Sequence, residues 1–253
     1  MPVFPDLNDQ SIFITGGGSG IGASITRAFL EQGARVAFVQ RSDASGFCDE
    51  MAVETGNRPL FLRCDITDVS ALNAAIEAAA EAHGPVRVLV NNAANDLRHD
   101  TLTTSEADWQ RLIDVNLKAY FFAAQAVIPG MRQCGGGSII NFTSISYMMG
   151  NAGYPVYVTA NSGINGLTRA LAREFGADRI RVNALAPGWV MTDKQRSQWV
   201  TDDALAAHLQ RQCLKEPLSP EDIVGGVLFL ASESSRMMTG QALVIDGGVV
   251  VSG

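Results

Sequence analysis

Short apolar runs rich in β-branched residues alternate along this chain with longer stretches whose apolar residues recur every three or four positions. The first kind predicts strands buried on both faces and the second amphipathic helices. Their alternation predicts a parallel sheet covered by helices on each side. Seven strands are expected, over Ser11–Thr15, Arg35–Gln40, Leu60–Cys64, Val86–Val90, Ser138–Phe142, Arg181–Ala186 and Ala242–Ile245. Helices are expected over Ile21–Glu31, Val69–Ala82, Ala107–Arg132, Val156–Phe175 and Pro220–Ala231, with Pro129-Gly130 ending or kinking the third of them. The predicted fold is α/β, a doubly wound seven-stranded parallel sheet of the Rossmann type. Residues 193–216 are charged and poorly patterned, and read either as a substrate lid or as an ordinary surface helical hairpin. No internal repeat or shift in composition divides the chain, so a single domain over residues 1–253 is expected.

Composition narrows the classes of function. With 47% hydrophobic and 18% charged residues the chain can bury a large core and lacks the make-up of a disordered protein. A net charge of −7 opposes binding to nucleic acid or acidic lipid, which normally takes a basic patch. The opening Met1-Pro2-Val3-Phe4-Pro5-Asp6 has neither the basic nor the apolar region of a secretory signal, and no stretch has the length of a membrane span. Cys48, Cys64, Cys134 and Cys213 lack the paired spacing of a zinc site or disulfide framework, so reduced thiols in a cytoplasmic protein without a metal are expected.

The segment Thr15-Gly16-Gly17-Gly18-Ser19-Gly20-Ile21-Gly22 joins the first strand to the first helix, where an open parallel sheet places a dinucleotide pyrophosphate. Its glycines, at 16, 20 and 22, depart from the G-x-G-x-x-G spacing, and by themselves also fit a tight turn. At the end of the second strand Gln40 and Arg41 stand where a carboxylate would contact a ribose 2′-hydroxyl. No negative charge opposes a 2′-phosphate there. Arg41 either pairs with that phosphate, favouring NADP over NAD, or is a solvated surface charge.

Further residues carry a resemblance. Asp65 follows the third strand, Asn91-Asn92-Ala93-Ala94 the fourth, Ser144 the fifth and Pro187-Gly188-Trp189-Val190-Met191-Thr192 the sixth, while Asn116 and Tyr157 lie in helices. In this set and order the chain resembles the short-chain dehydrogenases/reductases over nearly its whole length. The resemblance implies hydride and proton exchange between a nicotinamide cofactor and a secondary alcohol or hemiacetal. Tyr157 would be the general acid/base, Ser144 would hydrogen-bond the reacting oxygen, and Asn116 would hold a water in a proton relay. Gly16, Ser19, Gly20, Ile21, Gly22 and Asn92 would cradle the cofactor, Asp65 and Ile66 would meet its adenine, and Pro187, Val190 and Thr192 its carboxamide. A phenol suits this exchange if its pKa is lowered from about 10.

One position departs from the pattern. The family has Tyr-x-x-x-Lys, and here the segment is Tyr157-Val158-Thr159-Ala160-Asn161. Residues four apart share a helix face, so Asn161 occupies the place beside the phenol and the nicotinamide ribose. An amide can hydrogen-bond the ribose but supplies no charge to stabilise phenolate. Tyr147 and Tyr154 do not restore the motif, being followed four residues on by Asn151 and Val158, and Lys118 falls on a different helix face from Asn116. The chain is either an otherwise competent enzyme with a Lys→Asn change, which the intact remainder favours, or a natural variant with altered or lost catalysis.

The stretches 91–99, 139–146 and 212–215 are similar to those of bacterial sugar dehydrogenases, which oxidise aldoses at C1 to lactones or act on sugar acids. Asn95, Ser146, Asn151 and Trp189, with Ser144 and Tyr157, are the expected substrate contacts, and His99 a further candidate. A reductase of a 3-oxoacyl or steroid ketone, which an apolar lid of Trp189, Met191 and Trp199 would favour, and a non-catalytic nicotinamide-binding protein are the rival readings. A homodimer or homotetramer is implied by the resemblance.

Overall fold

A computed structural model describes residues 2–251. Seven parallel strands form one sheet in the order β3-β2-β1-β4-β5-β6-β7, with β1 at Ser11–Thr15, β2 at Arg35–Gln40, β3 at Leu60–Arg63, β4 at Val88–Asn91, β5 at Gly137–Phe142, β6 at Ile180–Pro187 and β7 at Ala242–Ile245. Chain direction across the sheet reverses between β1 and β4. Thr15 is paired there with Asn91 and Asn91 with Asn141, so the strand ends open a crevice at the switch point.

Alternate residues of each strand feed two cores. Ile12, Ile14 and Phe38 pack with Ile25 and Phe29 of α1 (Gly20–Glu31) and Val224 and Leu228 of a C-terminal helix, Pro220–Ala231. Phe13, Val39, Leu89 and Ile139 pack on the other face with Leu72 of α3 (Val69–His83), Val127 of α5 (Ala119–Gln133) and Leu171 of α7 (Pro155–Phe175). Both faces of the sheet are therefore dry, as the unbroken apolar strand runs require.

The sequence reading did not foresee every element. A helix α2 at Ser45–Thr55 was not expected, because it buries only Cys48 and Met51 and so leaves little periodic trace. The expected helix 107–132 is broken into α4 (Glu106–Ile113), a π-helical stretch Asp114–Lys118 and α5. Pro129 does not end α5, since burial of Val127, Ile128 and Met131 holds the helix on to Gln133. Residues 193–216 contain two short helices, α8 (Asp193–Gln198) and α9 (Asp202–Arg211), which bury no residue completely. A one-turn α6 (Ser146–Met149) precedes α7, and α10 is the C-terminal Pro220–Ala231. The four cysteines are free. Among the described residues no helix is long and apolar enough to cross a membrane.

Candidate active site

The turn between β1 and α1 is forced by backbone contact. Gly16 has φ +73°, and a Cβ on Gly22 would lie 1.9 Å from the Gly16 carbonyl oxygen. No side chain fits at position 22, so α1 begins directly against the strand and turns its free N–H groups outward. Asn92 locks this turn from β4: its Nδ2 donates to the carbonyls of Thr15 and Gly16, each at 3.1 Å. Gln40 Oε1 accepts from Gly18 N–H at 3.1 Å, which ties the end of β2 to the same turn. Ser19 caps α1 without a side-chain hydrogen bond. From the far side, Thr192 Cγ2 stands 3.3 Å from the site of a Cβ on Gly20, so the stretch 187–192 closes over the glycine turn.

Arg41 is exposed, and its charge reaches Asp65. Burial pushes the Asp65 carboxyl up, but hydrogen bonds from Thr67 and the Arg41 charge outweigh this and hold it below the usual carboxylate range. Ile66 is buried beside it.

The crevice continues as a cavity of about 470 Å³. Of the expected residues, Ile21, Asn92, Asn116, Ser144, Ser146, Asn151, Tyr157, Asn161, Pro187, Trp189, Val190 and Thr192 line it. Asn95 does not: its side-chain oxygen accepts from Leu97 N–H, and its neighbour Asp96 faces the cavity instead. His99 is likewise outside the lining, taken up by the Leu97 carbonyl and Val156 N–H.

Asn116 sits in the π-helical stretch and is 1% exposed. Its Oδ1 accepts from Asn95 N–H at 2.8 Å, and its Nδ2 donates to the carbonyls of Asn95 at 3.0 Å and Leu112 at 2.9 Å. The amide is thus spent on backbone and clamps the loop after β4. The extra helical residue is what turns Asn116 inward.

Ser144 and Tyr157 come together across the cavity. Ser144 Oγ accepts from Ser146 N–H at 3.1 Å, which leaves its proton free to donate. Burial, and secondarily the Asp96 charge, push the Tyr157 phenol up to about 12, while the Asn161 amide and the Ser144 hydroxyl pull weakly the other way. Asn161 is 2% exposed, and its Nδ2 donates to the Tyr157 carbonyl at 2.8 Å. Its own carbonyl accepts from Thr143 Oγ1 at 3.0 Å and Asn165 Nδ2 at 2.8 Å, which fixes α7 to the exit of β5. A second buried chain, Asn91 to Asn141 to Thr168, ties the same helix to the switch point. Lys118 pairs with Asp114 at 2.8 Å, away from the phenol.

Other lining residues lie outside the expected site set. Tyr154 stacks on Tyr157 with ring centroids 5.4 Å apart, and the Arg98 guanidinium lies 3.6 Å over the Tyr154 ring. Asn151 donates to the Tyr154 hydroxyl at 3.0 Å. Asp96 accepts from Lys194 Nζ at 2.6 Å and Gln195 Nε2 at 2.8 Å, and Gln195 Oε1 accepts from the Trp189 indole at 2.9 Å. Burial would raise the Asp96 carboxyl, yet the hydrogen bonds from Lys194 and Gln195 keep it low. Trp199, His208 and Arg211 complete the wall from α8 and α9. Of these, the sequence singled out Trp199 alone, as part of an apolar lid.

Comparison with known proteins decides the family. Residues 16–250 match the family described as enoyl-(acyl carrier protein) reductase. The chain is 49% identical over 248 residues to a Rhizobium meliloti (strain 1021) protein named Probable galactose dehydrogenase GalD, covering 97% of each. It belongs to the short-chain dehydrogenases/reductases. The D-xylose 1-dehydrogenase of Caulobacter vibrioides (strain NA1000 / CB15N) is 44% identical over 251 residues, 97% of this chain and 98% of that one. Among solved structures, a blue fluorescent protein from a metagenomic library in complex with NADPH superposes with a TM-score of 0.89 at 33% identity, over 97% of this chain and all of that one. This dehydrogenase therefore binds a nicotinamide cofactor, as its family does, and acts on a small molecule.

Proposed function

We propose that this enzyme moves a hydride between NADP and a hydroxyl of a sugar or sugar acid, in the simplest case oxidising an aldose at C1 to the lactone. The meeting of Ser144 and Tyr157 in a cavity that also carries Asp96, Arg98, Asn151, Gln195 and His208 among its apolar lining carries the reading. The two relatives named galactose and D-xylose 1-dehydrogenase support the sugar. A 3-oxoacyl or steroid ketone would bring one oxygen and fewer partners for Ser146, Trp199 and His208, whose buried polar atoms have none within the described residues.

The glycine turn fits a nicotinamide dinucleotide. Gly16, Ser19, Gly20, Ile21 and Gly22 would hold the pyrophosphate at the N-terminus of α1, Asp65 and Ile66 the adenine, and Asn92, Asn161, Pro187, Val190 and Thr192 the nicotinamide end. Arg41, exposed and unopposed by a carboxylate on β2, would take a 2′-phosphate beside Gln40. When bound, the cofactor supplies the hydride acceptor or donor. Ser144 donates its free proton to the reacting oxygen and orients it. Tyr157 takes the hydroxyl proton as phenolate and returns it in the reverse direction. Asn116 holds the loop after β4 rigid, and Asn161 positions Tyr157 without charging it. Residues 193–216 act as the lid.

With the phenol near 12, on the order of 10⁻⁵ of it is ionised at neutral pH. Catalysis in this chain is therefore slow at neutral pH rather than absent. Exposed Trp109 and Phe121 on α4 and α5 support pairing of copies into a homodimer or homotetramer through those helices.

Cofactor-fluorescence titration with a panel of aldoses, scored for binding and for turnover at alkaline pH, tests the reading. Binding and turnover of at least one aldose with NADP are expected. Cofactor binding without turnover of any aldose would leave the non-catalytic reading, and preference for a 3-oxoacyl or steroid ketone would replace the sugar. Arg41→Ala is expected to raise KM for NADP about tenfold and leave KM for NAD unchanged. An equal effect on both cofactors would remove Arg41 from phosphate recognition.

A further inference from the structure

Three buried side-chain polar atoms on residues lining the cavity have no hydrogen-bond partner: Ser146 Oγ, Trp199 Nε1 and His208 Nε2. Folded chains rarely leave such atoms unpaired, and in a cavity a water or a ligand group completes them. The two on 193–211 are held in place by their surroundings. The His208 imidazole meets the Trp189 ring edge to face at 5.4 Å, and Trp189 is itself bonded through Gln195 to Asp96. The Trp199 ring lies 5.3 Å from the Arg98 guanidinium, which also covers Tyr154. Burial, and then the neighbouring Arg211 charge, hold the His208 imidazole below its ordinary range, outweighing a hydrogen-bonding contact with Gln212 and the Asp246 charge. A neutral imidazole and an indole N–H on the cavity wall suit hydroxyl groups, which accept from one and either accept from or donate to the other.

We infer that Trp199 and His208 are specificity-determining residues that read hydroxyl groups of the sugar other than the one at the reacting carbon. The lid thus selects among aldoses by the position and orientation of these hydroxyls, while Ser144 and Tyr157 act on any sugar it admits. This rests on the sugar reading proposed above, and the test separates the two.

The experiment measures dissociation constants of D-galactose and its monodeoxy analogues for the protein loaded with NADP, in the parent, Trp199→Phe and His208→Leu. Each variant is expected to bind galactose about tenfold more weakly. For one analogue, lacking the hydroxyl that the altered residue reads, the same variant should match the parent. Bound NADP affinity and thermal melting, unchanged from the parent, show that the variants are folded. His208→Asn, which keeps a polar atom, should recover part of the loss. A loss of equal size for galactose and every analogue, or no loss at all, overturns the assignment while leaving the sugar reading intact. Failure of the parent to bind any of these sugars overturns both.

Discussion

Tyr157 and Asn161 stand one helical turn apart, and the chemistry of the site turns on what the second fails to do for the first. Burial raises the phenol to about 12, and an amide offers no positive charge to bring it back. Oxidation uses the phenolate, so its rate should climb about tenfold per pH unit and level off only near that value, falling away as pH drops. A lysine ammonium within about 4–6 Å lowers such a pKa by about 1–3 units. Asn161→Lys should therefore raise kcat at neutral pH by about ten- to a thousandfold and move the profile to lower pH. Initial rates across pH check this, and an unmoved profile would show that position 161 does not tune the phenol. The motif residues Ser144, Tyr157 and Asn161 were legible in sequence through the resemblance to the short-chain dehydrogenases/reductases, since singly a serine, a tyrosine and an asparagine carry no such signal. His208 was not, since it reaches the cavity from a segment without pattern, and Asn95 misled because a turn diverts its side chain to Leu97 N–H.

At the scale of elements, the strands and the longer helices could be read from apolar periodicity, whereas α2 and the π-helical stretch could not. The first buries too little to leave a trace, and the second is an extra residue with no Gly or Pro to announce it. The glycine turn is an element defined by contact rather than pattern. Gly22→Ala places a methyl against the Gly16 carbonyl, so a loss of about 1–3 kcal/mol in stability is expected, with cofactor affinity falling too. Thermal melting and NADP titration measure the two effects. A fully stable variant with parental affinity would mean that α1 can retreat from β1 without harm. The helices α8 and α9 are latched to the loop after β4 through Asp96. Asp96→Asn removes the ion pair with Lys194, which is half-exposed and so contributes modestly, and leaves one acceptor oxygen where Lys194 and Gln195 now use two, which loosens Gln195 and through it Trp189. Faster amide hydrogen exchange over 193–211 and a higher KM for sugar are expected. Unchanged exchange would place the latch elsewhere.

The whole molecule is a doubly wound sheet whose switch point gathers side chains from the ends of β1, β4, β5 and β6. Overall class and the position of the cofactor turn follow from general rules of parallel sheets, and so could be anticipated. The closure of the cavity could not, because it depends on packing between segments a hundred residues apart, as Asp96 with Lys194 and Gln195 shows. On the reading proposed above, the molecule is a dehydrogenase intact in architecture and slowed at a single proton-transfer group. The most direct test is the rate of reduced NADP formation from D-galactose at alkaline pH by the parent and by Tyr157→Phe. The parent should turn over and the variant should be slower by at least about a hundredfold at every pH. A Tyr157→Phe protein as fast as the parent would contradict the central claim that this phenol carries the proton.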